Sequence, residues 1–208
     1  MTPRLTALLA TAVLIGAWAA LMSRFGGANV YAVMGPYAAC VIAVCPVLAR
    51  LQGTAQRSWL ATKPRDLALG AALGVAMTLA TYPVFRLVTA LIPSLEPSVE
   101  SLYADASTHS LVTALAWTTL IIIAEEVLWR GLVLDELDER LPRHASSALS
   151  VVTYALAQLG SGSFIVLMLA LVCGAVWTWQ RRATGSITAP LVAHLIWSPT
   201  VILLWPVT

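Results

Sequence analysis

Long apolar stretches separated by short polar joints dominate this chain of 208 residues. A helix that crosses the hydrocarbon core of a bilayer needs about 20 mostly apolar residues. Seven stretches approach that length, and the pattern also accommodates six or eight. They lie at about 5–22, 28–49, 67–92, 109–134, 145–160, 163–180 and 186–206. We therefore predict an all-α fold, a polytopic membrane helix bundle of about seven transmembrane helices.

The composition supports a single membrane domain over residues 1–208. Hydrophobic residues make up 59% of the chain and charged residues 11%, whereas a soluble domain carries about 25% charged residues. The net charge of +2 is scattered, with no basic face, so a nucleic-acid partner is not expected. The partner expected from composition is the lipid bilayer. Within the third span, Gly70 and Gly74 form a GxxxG pair that predicts close packing on another helix.

Basic residues in the joints predict the orientation of the chain. Cytoplasmic loops of membrane proteins carry an excess of Lys and Arg. With a cytoplasmic amino terminus, Arg24 is the only basic joint residue outside, and the cytoplasmic ones are Arg4, Arg50, Arg57, Lys63, Arg65, Arg140, Arg143, Arg181 and Arg182. We expect an integral membrane protein with its amino terminus in the cytoplasm. An endoplasmic-reticulum membrane is compatible, but the short chain favours a bacterial inner membrane.

Three ionisable residues, Glu125, Glu126 and Arg130, lie inside the fourth span. Each such residue costs roughly 2.5–3.5 kcal/mol near the middle of a bilayer, even on insertion scales. Glu126 and Arg130 are four residues apart on one helix face and are predicted to form an ion pair. Glu125 is rotated by about 100° on the helix and has no local cation. It is therefore the candidate general base that activates a water.

Two further spans place polar side chains at a similar depth. Gln158 shares a helix face with Tyr154 in the fifth span, and His194 shares one with Ser198 in the seventh. His194 and Ser198 could donate hydrogen bonds to an oxyanion, whereas Tyr154 is interpreted as a packing aromatic. Pro199 removes an amide and is expected to loosen the helix beside these residues. From these residues alone, helix pairing, ion transport and catalysis all remain open.

Three motifs in order resemble those of the CPBP family, which includes type II CAAX prenyl proteases, bacteriocin-processing enzymes and abortive-infection proteins. The first is Glu-Glu-x-x-x-Arg-Gly at 125–131, and the second is the aromatic-x-x-x-polar step from Tyr154 to Gln158. The third is Thr-Gly-Ser-Ile at 184–187 followed by Ala-His-x-x-x-Ser at 193–198. The resemblance covers about residues 112–204, which are expected to form the catalytic core.

The resemblance implies a role for each matched position. Glu125 would be the general base, Glu126 and Arg130 a supporting pair, and His194 an oxyanion donor. The chain departs from the family twice: Gln158 stands where a histidine is usual, and Ser198 where an asparagine is usual. Gln158 can orient a water but cannot accept its proton, so Glu125 would be the sole base. The candidate catalytic residues are Glu125, Glu126, Arg130, Gln158, His194 and Ser198.

The function expected from the resemblance is that of a glutamic-type intramembrane protease, a hydrolase acting on a membrane-anchored or lipidated protein or peptide. A role in processing carboxy-terminal anchors, as in sorting enzymes, is one specific form of it. Because Gln158 replaces the usual histidine, the alternative is a catalytically inactive membrane scaffold or substrate-binding protein. A transporter is less favoured, since the chain shows no repeat of two matching halves. No cofactor and no metal are expected, because one His with a Glu and a Gln makes a poor zinc site and no HExxH occurs.

Overall fold

The computed structural model describes residues 2–25, 30–53, 59, 61–96, 99–100, 103 and 108–207. All regular secondary structure in these ranges is helical. Its α-helices are α1 Pro3–Phe25, α2 Val30–Gln52, α3 Pro64–Leu91, α4 Leu111–Glu125, α5 Leu134–Asp138, α6 Arg143–Gln158, α7 Phe164–Thr184 and α8 Thr188–Pro199. A π-helix, Glu126–Val133, joins α4 to α5, and a second one, Thr200–Leu204, follows α8. The prediction of an all-α membrane bundle is confirmed.

The number of spans needs refinement. Every predicted apolar stretch coincides with one helical segment, but five helices in the described ranges are long and apolar enough to cross a membrane. The segments outside this set are α6, with 16 residues, and the shorter apolar run Thr188–Leu204. Both carry candidate site residues. The helices that hold the polar groups of the second and third motifs are thus shorter than the five long apolar helices.

Residues at the helix ends explain where the long helices begin and end. Ser110 and Ser163 cap α4 and α7 by accepting hydrogen bonds from main-chain amides three residues later. Gly185, with φ of 76°, ends α7 in the left-handed conformation that favours glycine. Pro199 ends the regular part of α8, and the helix continues as a π-helix, as expected from the loss of its amide.

Charged side chains from α1, α5, the turn after α5 and α7 gather at one end of the bundle. Arg4 and Arg140 both pair with Glu136, at 3.5 and 2.7 Å. Other pairs at this end are Arg181 with Asp135 and Arg182 with Asp138. These four basic residues are among the nine assigned to the cytoplasmic side, and the structure brings these four to the same end. Which way this end faces stays a prediction, and Arg57 lies outside the described residues.

The GxxxG pair of α3 packs against α8, as its sequence predicts. A Cβ atom on Gly70 would lie 2.6 Å from the carbonyl oxygen of Ala189, and one on Gly74 would lie 3.0 Å from the Cα of Ala193. Such distances leave no room for a side chain. This close approach brings α8, and with it His194, against α3.

Gly70→Ala is therefore expected to lower the free energy of unfolding by about 1–3 kcal/mol, because backbone atoms must move apart. Gly16→Ala in α1 is the matched control, since a Cβ there meets nothing within 4 Å. The control should be neutral or gain up to about 1 kcal/mol from helix propensity. Equilibrium unfolding in detergent micelles compares them, and equal stability of the two variants would contradict the packing role of Gly70.

Candidate active site

The first motif lies where the fourth span changes from an α-helix to a π-helix. Glu125 is the last residue of α4, and Glu126 begins the π-helix that runs to Val133. Single π-helical turns inside α-helices are rare and often occur at functional sites. Sequence periodicity did not predict this turn. Because of this turn, the first motif does not follow regular α-helical spacing, and Arg130 lies within the π-helix.

Glu125 is held by side chains from α6 and faces one from α8. The Nε2 of Gln158 donates a hydrogen bond of 2.8 Å to Glu125 Oε1, and the hydroxyl of Tyr154 donates one of 3.2 Å to Oε2. The Nε2 of His194 lies 3.7 Å from the same Oε2. Glu125 is 6% exposed. Both of its oxygens are therefore oriented by neutral donors inside a nearly dry site.

Glu126 has a different set of partners. Its Oε1 lies 3.4 Å from Nη1 of Arg130, and both side chains are fully buried. The Nδ1 of His194 lies 2.9 Å from the same Oε1. The predicted ion pair four residues apart is confirmed. It also holds a histidine, which the sequence did not predict.

Aromatic rings enclose Arg130 on two sides. Its guanidinium carbon lies 4.4 Å from the ring centroid of Tyr154 and 5.3 Å from that of Trp177, both within cation–π range. Nη2 of Arg130 donates to the carbonyl of Gly174 at 3.3 Å. A Cβ on Gly174 would lie 3.2 Å from this nitrogen and 3.1 Å from Tyr154, so α7 can approach only with a glycine there. Trp177 stacks on His194 with centroids 3.6 Å apart.

The charged end of the bundle fixes the π-helix from its other side. Arg181 donates through Nε to the carbonyl of Arg130 at 3.0 Å and pairs with Asp135 at 2.9 Å. Asp135 also accepts a hydrogen bond of 2.6 Å from the indole of Trp59. A Cβ on Gly131 would lie 2.9 Å from the Trp59 ring. The glycine of the first motif therefore lets Trp59 pack directly on the π-helix.

Five of the six predicted site residues meet through side-chain contacts. Ser198 is buried in α8 one turn beyond His194, and within the described residues it has no hydrogen bond to this group. Two residues were missed as site residues: Tyr154, interpreted as packing, has its hydroxyl on Glu125, and Trp177 stacks on His194. The polar stripe from Tyr154 to Gln158 carried a signal for the first. A single tryptophan in an apolar span gave none for Trp177.

Among the residues that the structure describes, no group of three or more His, Cys, Asp or Glu side chains is arranged to hold a metal ion. Among those residues the site has a buried carboxyl group that forms no ion pair with Lys or Arg, a buried ion pair, and an imidazole between the two carboxyl groups.

Two matched ion pairs test how much the buried one contributes. Glu126–Arg130 and Glu136–Arg140 are both four residues apart, but Arg130 is fully buried whereas Arg140 is 51% exposed. Arg130→Ala leaves Glu126 buried without its cation and should cost about 3–5 kcal/mol of unfolding free energy. Arg140→Ala should cost less than about 1 kcal/mol. Chemical unfolding followed by tryptophan fluorescence measures both, and similar losses would contradict the assigned role of Arg130.

Comparisons with known proteins agree with the motifs. Residues 107–199 match the family model described as Type II CAAX prenyl endopeptidase Rce1-like. No curated protein and no solved structure matches the chain. The matched region begins before α4 and ends at Pro199, so it contains all six predicted site residues as well as Tyr154 and Trp177. The chain is an integral membrane protein by its long apolar helices, and its residues 107–199 are similar to the Rce1-like type II CAAX prenyl endopeptidases.

Proposed function

We propose that this protein is an intramembrane endopeptidase in which Glu125 activates a water. The observation that carries the proposal is the environment of Glu125: it is buried, it forms no ion pair with a Lys or Arg among the described residues, and two neutral donors orient it. A carboxylate in such a place can take a proton from a water and return it to a leaving amine. Its substrate is a membrane-anchored or lipidated protein, cleaved at a peptide bond near the membrane.

The separation of the two carboxyl groups supports different roles for them. Glu126 is committed to Arg130 and His194 through one oxygen, so it is the supporting group. Glu125 receives hydrogen bonds only from Gln158 and Tyr154 among the described residues. These donors leave lone pairs on its oxygens. Glu125 can therefore accept a hydrogen from a water without first breaking an ion pair.

The proposal extends to the organisation and location of the protein. Residues 112–204 supply the catalytic core, and the chain as a whole is one membrane domain of residues 1–208. Burial of the site between helices suits a substrate whose scissile bond arrives with a membrane anchor, as in carboxy-terminal anchor processing. Ser198, one turn from His194, supplies a hydroxyl donor for the oxyanion once substrate is bound. We place the protein in a bacterial inner membrane with its amino terminus in the cytoplasm.

One observation favours a second candidate function. Gln158 stands at the position of the usual second-motif histidine and holds Glu125 by a direct hydrogen bond of 2.8 Å. Since an amide takes up no proton in the neutral range, the site lacks that base. The same buried cluster without catalysis would be a membrane scaffold that binds an anchored protein.

Cleavage by Glu125→Gln is the test that separates these functions. The purified protein is reconstituted in liposomes with two probes, a reporter with one carboxy-terminal membrane anchor and a carboxy-terminally prenylated peptide, and fragments are identified by mass spectrometry. Glu125→Gln keeps the side-chain shape but removes the proton acceptor, so the rate should fall at least about 100-fold. Glu139→Gln, an exposed carboxylate beyond α5, is the matched control and should retain the wild-type rate.

Cleavage by a folded Glu125→Gln variant at the wild-type rate would refute the proposed role of Glu125. Binding of a probe without cleavage by the wild type, and also by Gln158→His, would favour the scaffold instead.

Removing the amide that orients Glu125 gives an independent prediction. Gln158→Ala deletes a hydrogen bond to a charged group, worth about 1.5–3 kcal/mol, so the cleavage rate should fall about 10- to 100-fold. Leu156→Ala, on the exposed face of the same helix, should leave the rate unchanged. The initial rate at saturating substrate is the measurement. Equal rates for both variants would show that Gln158 does not position the carboxylate.

A further inference from the structure

His194 lies between the two carboxyl groups of the first motif. Its Nδ1 is 2.9 Å from Glu126 Oε1, and its Nε2 is 3.7 Å from Glu125 Oε2. A third-motif histidine that acts as an oxyanion donor must present a hydrogen on the ring nitrogen that faces the reacting atoms. The nitrogen beside Glu125 is Nε2. The position of the ring hydrogen therefore decides what His194 can do.

The contacts of Glu126 assign that hydrogen to Nδ1. Glu126 Oε1 faces the guanidinium of Arg130 at 3.4 Å, and an ionised carboxylate has no hydrogen to donate. Its contact with His194 at 2.9 Å is a hydrogen bond only when Nδ1 carries the hydrogen. In a neutral imidazole with hydrogen on Nδ1, Nε2 is an acceptor. A carboxylate that orients a histidine in this way leaves the far nitrogen free to accept from the nucleophile.

Two acceptors then face each other across the site. Glu125 Oε2 and His194 Nε2 are 3.7 Å apart, which exceeds the length of a direct hydrogen bond. A water between two acceptors donates one hydrogen to each, so it joins groups that cannot bond to each other. Its oxygen lone pairs then remain free. Such a water is oriented for attack on a carbonyl carbon.

We propose that Glu125 and His194 together hold the attacking water. His194 takes the role that the second-motif histidine usually has and that Gln158 cannot take. The proposal rests on the protease function above and describes how its nucleophile is held. One hydrogen of the water passes as a proton to Glu125 while the oxygen bonds to the carbonyl carbon. The other stays on that oxygen, bonded to His194 Nε2. Glu125 then returns its proton to the nitrogen as the C–N bond breaks, which gives a carboxylic acid and an amine.

Trp177 is the positioning residue in this arrangement. It stacks on the imidazole with an interplanar angle of 21° and also lies beside Arg130. The stack fixes the plane of His194, and the bond from Nδ1 to Glu126 fixes the rotation of the ring within that plane. Together they direct Nε2 toward Glu125. The groups that face His194 are thus two carboxyl groups, a guanidinium and an indole, from three elements.

The tautomer of His194 tests the proposal without any substrate. The protein is labelled with ¹⁵N-histidine, and since the chain has three histidines, His194→Gln identifies the signals of His194. We expect a protonated Nδ1 and an unprotonated Nε2. A hydrogen on Nε2, in either the other neutral tautomer or the imidazolium, overturns the proposal. Because substrate is absent, this result is independent of whether the proposed function holds.

Glu126→Gln separates the two roles of His194 by rate. Its amide can turn either its NH2 or its oxygen toward Nδ1: the NH2 moves the ring hydrogen to Nε2, whereas the oxygen leaves it on Nδ1 and should leave cleavage near the wild-type rate. With hydrogen on Nε2, a water-holding His194 loses its acceptor, so cleavage should fall at least about 10-fold while the ¹⁵N spectrum shows the other tautomer. An oxyanion donor would instead gain the hydrogen it needs. Cleavage at or above the wild-type rate with hydrogen on Nε2 overturns the proposal, whereas failure of the protease function itself would be recognised from the absence of cleavage by the wild type.

Discussion

The buried ion pair between Glu126 and Arg130 is the interaction on which the rest of the site depends. Two full charges inside an apolar bundle are costly unless they are paired. Arg130 joins three elements, since it contacts Glu126, the carbonyl of Gly174 in α7 and the ring of Tyr154 in α6. The guanidinium of Arg130 therefore sets how closely α6 and α7 approach the π-helix.

The same pair also organises the neighbouring groups. Glu126 Oε1 serves both Arg130 and His194, so the charge that anchors the π-helix also orients a ring from α8. Trp177 completes the link, because it stacks on His194 and lies beside Arg130. The buried ion pair and the proposed active site thus share one oxygen atom. A change in the ion pair is therefore expected to affect His194 directly, through Glu126 Oε1.

Much of this arrangement could be predicted from the sequence, and the remainder has physical reasons. Residues four apart on a helix predicted the contact of Glu126 with Arg130, and apolar length predicted the membrane bundle. The π-helix could not be predicted, because one inserted residue per turn leaves no mark on hydrophobic periodicity. Trp177 was missed for a related reason: in an apolar span, a tryptophan that stacks on an imidazole looks like one that packs on leucine.

The structure gives Gln158 a role that it shares with Tyr154, since both donate hydrogen bonds to Glu125. At the level of sequence, an amide in place of a histidine is the loss of a base. In the structure, Gln158 gives Glu125 a donor on Oε1 and Tyr154 gives one on Oε2, so the carboxyl group is fixed at both oxygens. A histidine facing Glu125 is still present, but it comes from α8 instead of α6. The replacement therefore removes a histidine from the α6 side of Glu125, whereas His194 remains on the α8 side. The proposed mechanism needs one acceptor beside the carboxylate, and in this chain α8 can provide it in place of α6.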